Sequence, residues 1–150
     1  MSFFDVINIK AQNDGVIKKI VGGIITNEKG EVLFLKRRVD DFFGGILELP
    51  SGNVEEKEKI DQALIREIKE ETNLDVSNIG VFVNSFDYLS SSGKKSRQFN
   101  FSVKVESTEN VFLTEHDEFT WLSYENIICN ENITPEVKYS IEIYEYNKNN

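Results

Sequence analysis

A chain of 150 residues is the length of one domain, long enough to bury a sizeable core without staples. Hydrophobic residues make up 39% and charged residues 29%, a globular balance, and the formal net charge of -9 argues against broad contact with a nucleic-acid polymer or an anionic membrane. The single cysteine, Cys129, excludes an internal disulfide framework, no apolar stretch nears the roughly 18 residues of a membrane span, and Asp5 interrupts the stretch where a signal peptide would be unbroken, so a cytoplasmic location is expected.

The first apolar segment, "FFDVINI", reads as an edge or interface strand, and it is the one hint of a homodimer. Val21 to Thr26 is β-rich, "NEKG" has turn chemistry, and "EVLFLKRR" resumes an apolar run, so two strands flank a turn. "DDFFGGILELPSG" is Gly-rich and is expected to be loop and short strand. A helix is expected from about Lys57 to Asn73. "IGVFVNSFDYLS" and "RQFNFSVKVES" alternate about "SSGKK" and predict a hairpin. "EFTWLSYENI" predicts a strand running into a short helix, with Phe119 and Trp121 in strand pairing or core. Thr134 as N-cap and Pro135 at the first helical position open a last helix, whose Val137, Ile141 and Tyr144 share a face. Cys129 is expected to be a small core residue. The order of elements predicts a mixed α/β layered domain over residues 1–150, with strands from both halves.

The helix over "IDQALIREIKEET" raises a question of charge. At about 100° per residue, Glu67, Glu70 and Glu71 project within about 100° of arc, at the edge of the stripe formed by Ile60, Leu64 and Ile68. Like charges at these spacings cost a few tenths of a kcal/mol each when exposed, and more when partly buried or near a helix C-terminus. Arg66 neutralises one of them. A divalent cation would compensate the rest, and hard oxygen ligands suit Mg²⁺ or Mn²⁺. A solvated acidic face is the ordinary reading of such a run.

The surrounding spacing favours the cation. Gly52, five residues, Glu58, seven residues, then "REIKEETNL" resembles the Nudix box, Gly-x5-Glu-x7-Arg-Glu-apolar-x-Glu-Glu-x-Gly-apolar, over residues 52–74. Eight positions match without a gap, and only Asn73 departs, standing where the family has Gly. Asn tolerates the left-handed backbone better than other non-Gly residues. "GGILELPSG" is similar to the family's approach to the box, with Leu47 for a frequent Trp and Ser51 for a Gly. "LTEHDEFTWLS" resembles the MutT-like segment that adds one more acidic residue before a Trp.

The resemblance implies an α/β/α sandwich around a mixed sheet, and hydrolysis of a nucleoside diphosphate linked to another group, with Mg²⁺ or Mn²⁺. Carried over by position, Glu67, Glu70 and Glu71 would be metal ligands, with the Gly52 carbonyl. Arg66 would hold a catalytic glutamate, and Glu58 would support the loop. Glu115, six residues before Trp121, is the first choice for the base, ahead of Glu118 and Glu70. His116 is expected beside a ligand or in an exposed loop. Among the cations, Lys94, Lys95 and Arg97 form a basic island, read as a solvated loop before a phosphate contact, and Arg38 is a further contact candidate weakened by Asp40 and Asp41. A (deoxy)nucleoside triphosphate is the favoured substrate, ahead of ADP-ribose or a nucleotide sugar. A ligand-binding module without hydrolysis ranks below the enzyme because all three glutamates are present.

Overall fold

A computed structural model describes residues 1–41 and 43–150. The elements in chain order are α1 (Phe3–Asn13), β1 (Lys18–Ile25), β2 (Val32–Lys36), β3 (Leu47–Glu48), β4 (Ser51–Asn53), α2 (Ile60–Thr72), β5 (Val76–Leu89), β6 (Lys95–Val105), β7 (Glu118–Leu122), α3 (Tyr124–Cys129) and α4 (Pro135–Lys148). One mixed sheet has the order β4-β1-β6-β5, with β1 and β6 parallel, and a second has the order β3-β2-β7.

Strand alternation divides the core into two. Val21 and Ile25 of β1, Leu33 and Leu35 of β2 and Phe99, Phe101 and Val103 of β6 pack with Ile60, Ala63, Leu64 and Ile68 of α2 and with Ala11 of α1. Ile24, Val32, Phe34 and Leu49 face the other way, onto Ile127 of α3 and Val137 and Ile141 of α4. β1 and β2 are therefore buried on both faces, and the layers are helix, sheets, helix, as expected. The hairpin of β5 and β6 is as read, with Leu89 opposite Lys95. Thr134 caps α4 by accepting from the Val137 N–H, and Pro135 opens it.

Three expectations are corrected. "FFDVINI" is a helix, not a strand. Ser2 and Asp5 form a reciprocal capping box, and Phe4, Ile7 and Ala11, three and four apart, face the core. Cys129 is exposed, because it falls at the end of α3, past the buried Ile127. The box helix starts at Ile60 rather than near Lys57, whose φ of 67° is left-handed and ends the loop before the helix.

Asn73 adopts φ 67°, ψ 7° just after α2, and its N–H donates to the Lys69 carbonyl. The residue that departs from the box thus fills the glycine's conformation. Asn73→Gly is expected to leave unfolding free energy within about 1 kcal/mol of wild type, whereas Asn73→Val costs about 1–2 kcal/mol. Urea denaturation measures both, and equal stability of the Val variant would refute the strain argument.

Candidate functional site

The end of β4, the start of the loop to α2 and the last two turns of α2 build the site. Arg66 ties them together. Its Nε and Nη2 donate to the two Glu58 oxygens at 2.7 and 2.8 Å, and Nη2 also reaches the Asn53 carbonyl at 2.9 Å. Nη1 donates to Glu67 at 2.8 Å and to Glu70 at 3.1 Å. The Arg66 hydrogen bonds hold the Glu58 carboxyl below the usual carboxylate range. Glu58 also accepts the Glu55 N–H at 3.0 Å, so it clasps loop to helix. The family resemblance implied supporting positions for Glu58 and Arg66, and the structure brings the two together.

Glu67 lies against Gly52. A Cβ at position 52 would stand 2.0 Å from the Glu67 carboxyl carbon, so only the bare glycine lets this carboxylate lie across the strand. Burial pushes the Glu67 carboxyl up, Arg66 opposes this, and the charges of Glu70 and Glu115 add to the rise. Glu70 is the outermost of the three, with its side chain 58% exposed.

Glu71 is buried, and its Oε1 accepts the Ser51 N–H at 2.7 Å. Burial pushes its pKa up to about 8, the Ser51 hydrogen bond opposes this, and Glu48, Glu67 and Glu115 repel the charge further. A carboxyl in such a place is either protonated or compensated by a cation.

One neighbour, Glu48, went unread in the sequence, and His116 was expected beside a ligand or in an exposed loop. Glu48, between Leu47 and Leu49, receives Arg37 Nη2 at 2.8 Å and His116 Nε2 at 2.8 Å. Burial alone would raise its carboxyl, but His116 and Arg37 outweigh that and hold it below the usual range. His116 sits in the loop before β7, but its side chain turns inward, beside Glu71. Its side chain is 6% exposed, and its Nδ1 lies 4.0 Å from Glu71 Oε2. Nδ1 has no hydrogen-bond partner. The available signal was an acid between two leucines just before the box, and a lone histidine beside Glu115.

The loop before β7 carries Glu115 over the C-terminal end of α2. The Phe112 N–H donates to the Thr72 carbonyl at 2.9 Å, and Thr114 Oγ1 donates to the Glu70 carbonyl at 3.0 Å. Arg38 joins from the loop after β2, its Nη2 donating to the Thr114 carbonyl at 3.3 Å. Glu115 is close enough that its charge raises both Glu67 and Glu71. Glu118 points elsewhere, with Lys36 its ion-pair partner at 3.9 Å. Lys95 and Arg97 are not gathered with the glutamates: Lys95 donates to the Asp14 carbonyl at 2.7 Å, and Arg97 pairs with Asp14 at 2.9 Å and Asp87 at 2.6 Å. Phe119 and Trp121 pair across to Leu35 and Leu33, as strand residues should.

The NUDIX domain family model matches residues 17–145. The chain belongs to the Nudix family. It is 34% identical over 64 residues to an 8-oxo-dGTP diphosphatase of Escherichia coli, covering 43% of this chain and 50% of that protein. An RNA pyrophosphohydrolase of a Wolbachia species is 28% identical over 126 residues, covering 73% of this chain and 76% of that protein. The chain spans about half the length of the first curated Nudix relatives it matches. Among solved structures, a MutT protein from Methanosarcina mazei superposes with a TM-score of 0.79 at 26% identity, covering 91% of this chain and 99% of that one.

Nudix hydrolases use a divalent metal, and three observations on this chain fit one. The Gly52 cradle admits the Glu67 carboxylate. The Glu71 carboxyl is buried without a cationic partner among the described residues, apart from the histidine nitrogen 4.0 Å away. His116 Nδ1 is a buried polar atom aimed at that same carboxylate. Among the described residues no three acidic, histidine or cysteine side chains already converge at ligating distance. The reason is visible in the hydrogen bonds, since Arg66 draws Glu67 and Glu70 to itself while Ser51 holds Glu71. No helix among the described residues is long and apolar enough to cross a membrane.

Proposed function

We propose that this Nudix chain is a Mg²⁺- or Mn²⁺-dependent pyrophosphohydrolase. Its favoured substrate is a (deoxy)nucleoside triphosphate, cleaved to the monophosphate and pyrophosphate. The observation that carries the reading is the run of Glu67, Glu70 and Glu71 along α2, with Glu67 lying over Gly52 and Glu71 buried and strongly raised. The name of the 8-oxo-dGTP diphosphatase relatives supports the substrate class.

In this reading the three glutamates and the Gly52 carbonyl hold the metal. The bound metal would neutralise phosphate charge and favour ionisation of water. Positioning and electrostatics then carry most of the acceleration. Arg66 sets the angle of Glu67 and Glu70 from its clasp on Glu58. Glu115 takes the proton from the attacking water as the phosphoanhydride P–O bond breaks and pyrophosphate leaves. Arg38, tethered beside Glu115, is positioned to meet a phosphate oxygen. Glu70, the most exposed carboxylate, is the second choice for the base. Cytoplasmic location accords with the lone cysteine and the absence of disulfides.

One observation favours a second reading, removal of pyrophosphate from an RNA 5′ end: the relative matched over most of both chains is an RNA pyrophosphohydrolase. The net charge of -9 weighs against a long polymer, so it stands second.

The test is a metal-dependent hydrolysis screen with products identified by chromatography. Nucleoside triphosphates, their 8-oxo forms, ADP-ribose, nucleotide sugars, dinucleoside polyphosphates and 5′-triphosphorylated RNA are offered to wild type and to Glu115→Gln. Wild type is expected to release pyrophosphate from a nucleoside triphosphate. The variant is expected to lose about 10²–10⁴-fold in turnover, the usual contribution of a general base, with metal affinity little changed. Near wild-type turnover would remove Glu115 from the role, and binding without cleavage of any substrate would leave a ligand-binding module.

A further inference from the structure

The pair His116 and Glu71 presents an unmatched set of acceptors. Glu71 Oε1 is satisfied by the Ser51 N–H, which leaves Oε2. Glu71 Oε2 faces His116 Nδ1 at 4.0 Å. On the far side of the ring, Nε2 is 2.8 Å from Glu48 Oε2. Glu48 also accepts from Arg37 Nη2 at 2.8 Å, an ion-paired acceptor to which Nε2 donates. That donation fixes the ring and turns Nδ1 toward Glu71. Nδ1 is buried and has no hydrogen-bond partner among the described residues.

A histidine whose one nitrogen donates to a carboxylate while the other faces a second carboxylate has the arrangement of a metal ligand with its supporting acid. The spacing agrees. The 4.0 Å between Nδ1 and Oε2 leaves room for an ion that both atoms would hold. A direct hydrogen bond would need about 2.8 Å, so the two side chains are too far apart to satisfy each other.

We propose that His116 Nδ1 is a ligand of the divalent ion taken by Glu71, so that this site is a mixed nitrogen and oxygen centre that favours a first-row transition metal over Mg²⁺. The inference rests on the metal-dependent reading above and goes beyond the acidic residues of the box. Imidazole nitrogen binds transition metals well, whereas Mg²⁺ keeps to oxygen and water. Glu48 is then the positioning residue for the ring, and Arg37 the residue that keeps Glu48 ionised. This gives the part-buried chain Arg37–Glu48–His116–Glu71 a role that packing alone does not.

The chain has one histidine, which makes the test direct. The full chain is made unlabelled and with ¹⁵N-histidine, loaded with Mn²⁺, and read by electron spin-echo envelope modulation. Nitrogen modulation that changes from the ¹⁴N to the ¹⁵N pattern on labelling is the expected result. Bound Mn²⁺ with identical spectra in both samples would overturn this inference alone. Failure to bind Mn²⁺, together with no metal-dependent cleavage, would overturn the hydrolase reading as well. In His116→Gln the Mn²⁺ dissociation constant is expected to rise at least about tenfold, with Mg²⁺ affinity within about twofold. Equal loss of both ions would mark His116 as a packing residue and overturn the assignment.

Discussion

Glu71→Gln is expected to raise the stability of the metal-free protein at pH 8.5 while removing its hydrolysis. The two effects have one cause. Burial raises the Glu71 carboxyl to about 8, and Glu48, Glu67 and Glu115 repel its charge. An unfolded chain releases that proton near 4.5, the ordinary value. Between the two values the folded state keeps a proton that the unfolded state has lost, so wild-type stability falls as pH rises. Above 8 the whole penalty is present, on the order of 5 kcal/mol. Gln carries no charge, and its side-chain carbonyl can still accept from the Ser51 N–H.

Chemical denaturation of both proteins in chelator from pH 5 to pH 9 checks this. The stability of wild type should fall relative to the variant across that window. Parallel curves would show that Glu71 is not the buried charge inferred here. Adding Mn²⁺ should restore wild type, because an ion that binds only the folded state stabilises it by mass action, and should do little for the variant. Turnover should drop about 10³-fold or more, the several kcal/mol of charge stabilisation that a misplaced ion withholds.

Gly52→Ala is expected to separate fold from chemistry. The backbone at Gly52 is not among the left-handed positions, so an alanine meets no conformational penalty there. Alanine also has less chain entropy to lose than glycine, so unfolding free energy should stay within about 1 kcal/mol of wild type. The new methyl would nevertheless stand 2.0 Å from the Glu67 carboxyl carbon and 2.1 Å from Oε2. Glu67 must swing away, and Arg66, bound to Glu58, Glu67 and Glu70 at once, is dragged with it or released. A displacement of about 1 Å at such a centre costs about 10²-fold in turnover. A folded variant with wild-type kinetics would show that Glu67 does not need its place over the strand.

Much of the site could be read from local spacing because α2 carries it. Glu67, Glu70 and Glu71 lie within five positions of one helix, and Glu58 reaches Arg66 across a single loop. Helical periodicity is enough to gather them. The Glu48–His116 bond could not be read in this way. Its partners are 68 residues apart and meet only because β2 pairs with β3 on one edge and β7 on the other. Register between distant strands has no short-range signal. The N-terminal helix was hidden for a different reason. Phe, Val and Ile dominate "FFDVINI", and their strand preference masked the Ser2 and Asp5 cap that starts the helix. The basic island had the opposite fault: Lys95 and Arg97 looked available in sequence, yet the end of α1 and β5 supplies their acceptors.

The parallel pairing of β1 with β6 has a consequence for how the protein is made. Lys18 pairs with Ser96 and Ile25 with Val103, across just over half the chain. β1 is buried on both faces in the finished protein, so on the ribosome it emerges as an apolar segment long before its parallel neighbour. At about 5–20 residues per second, roughly 4–16 s separate the two strands. During that interval the elements already made, among them α1, β2, β4 and the box helix, are at hand to cover it. The box helix with its glutamates is therefore complete before β1 gains its parallel neighbour.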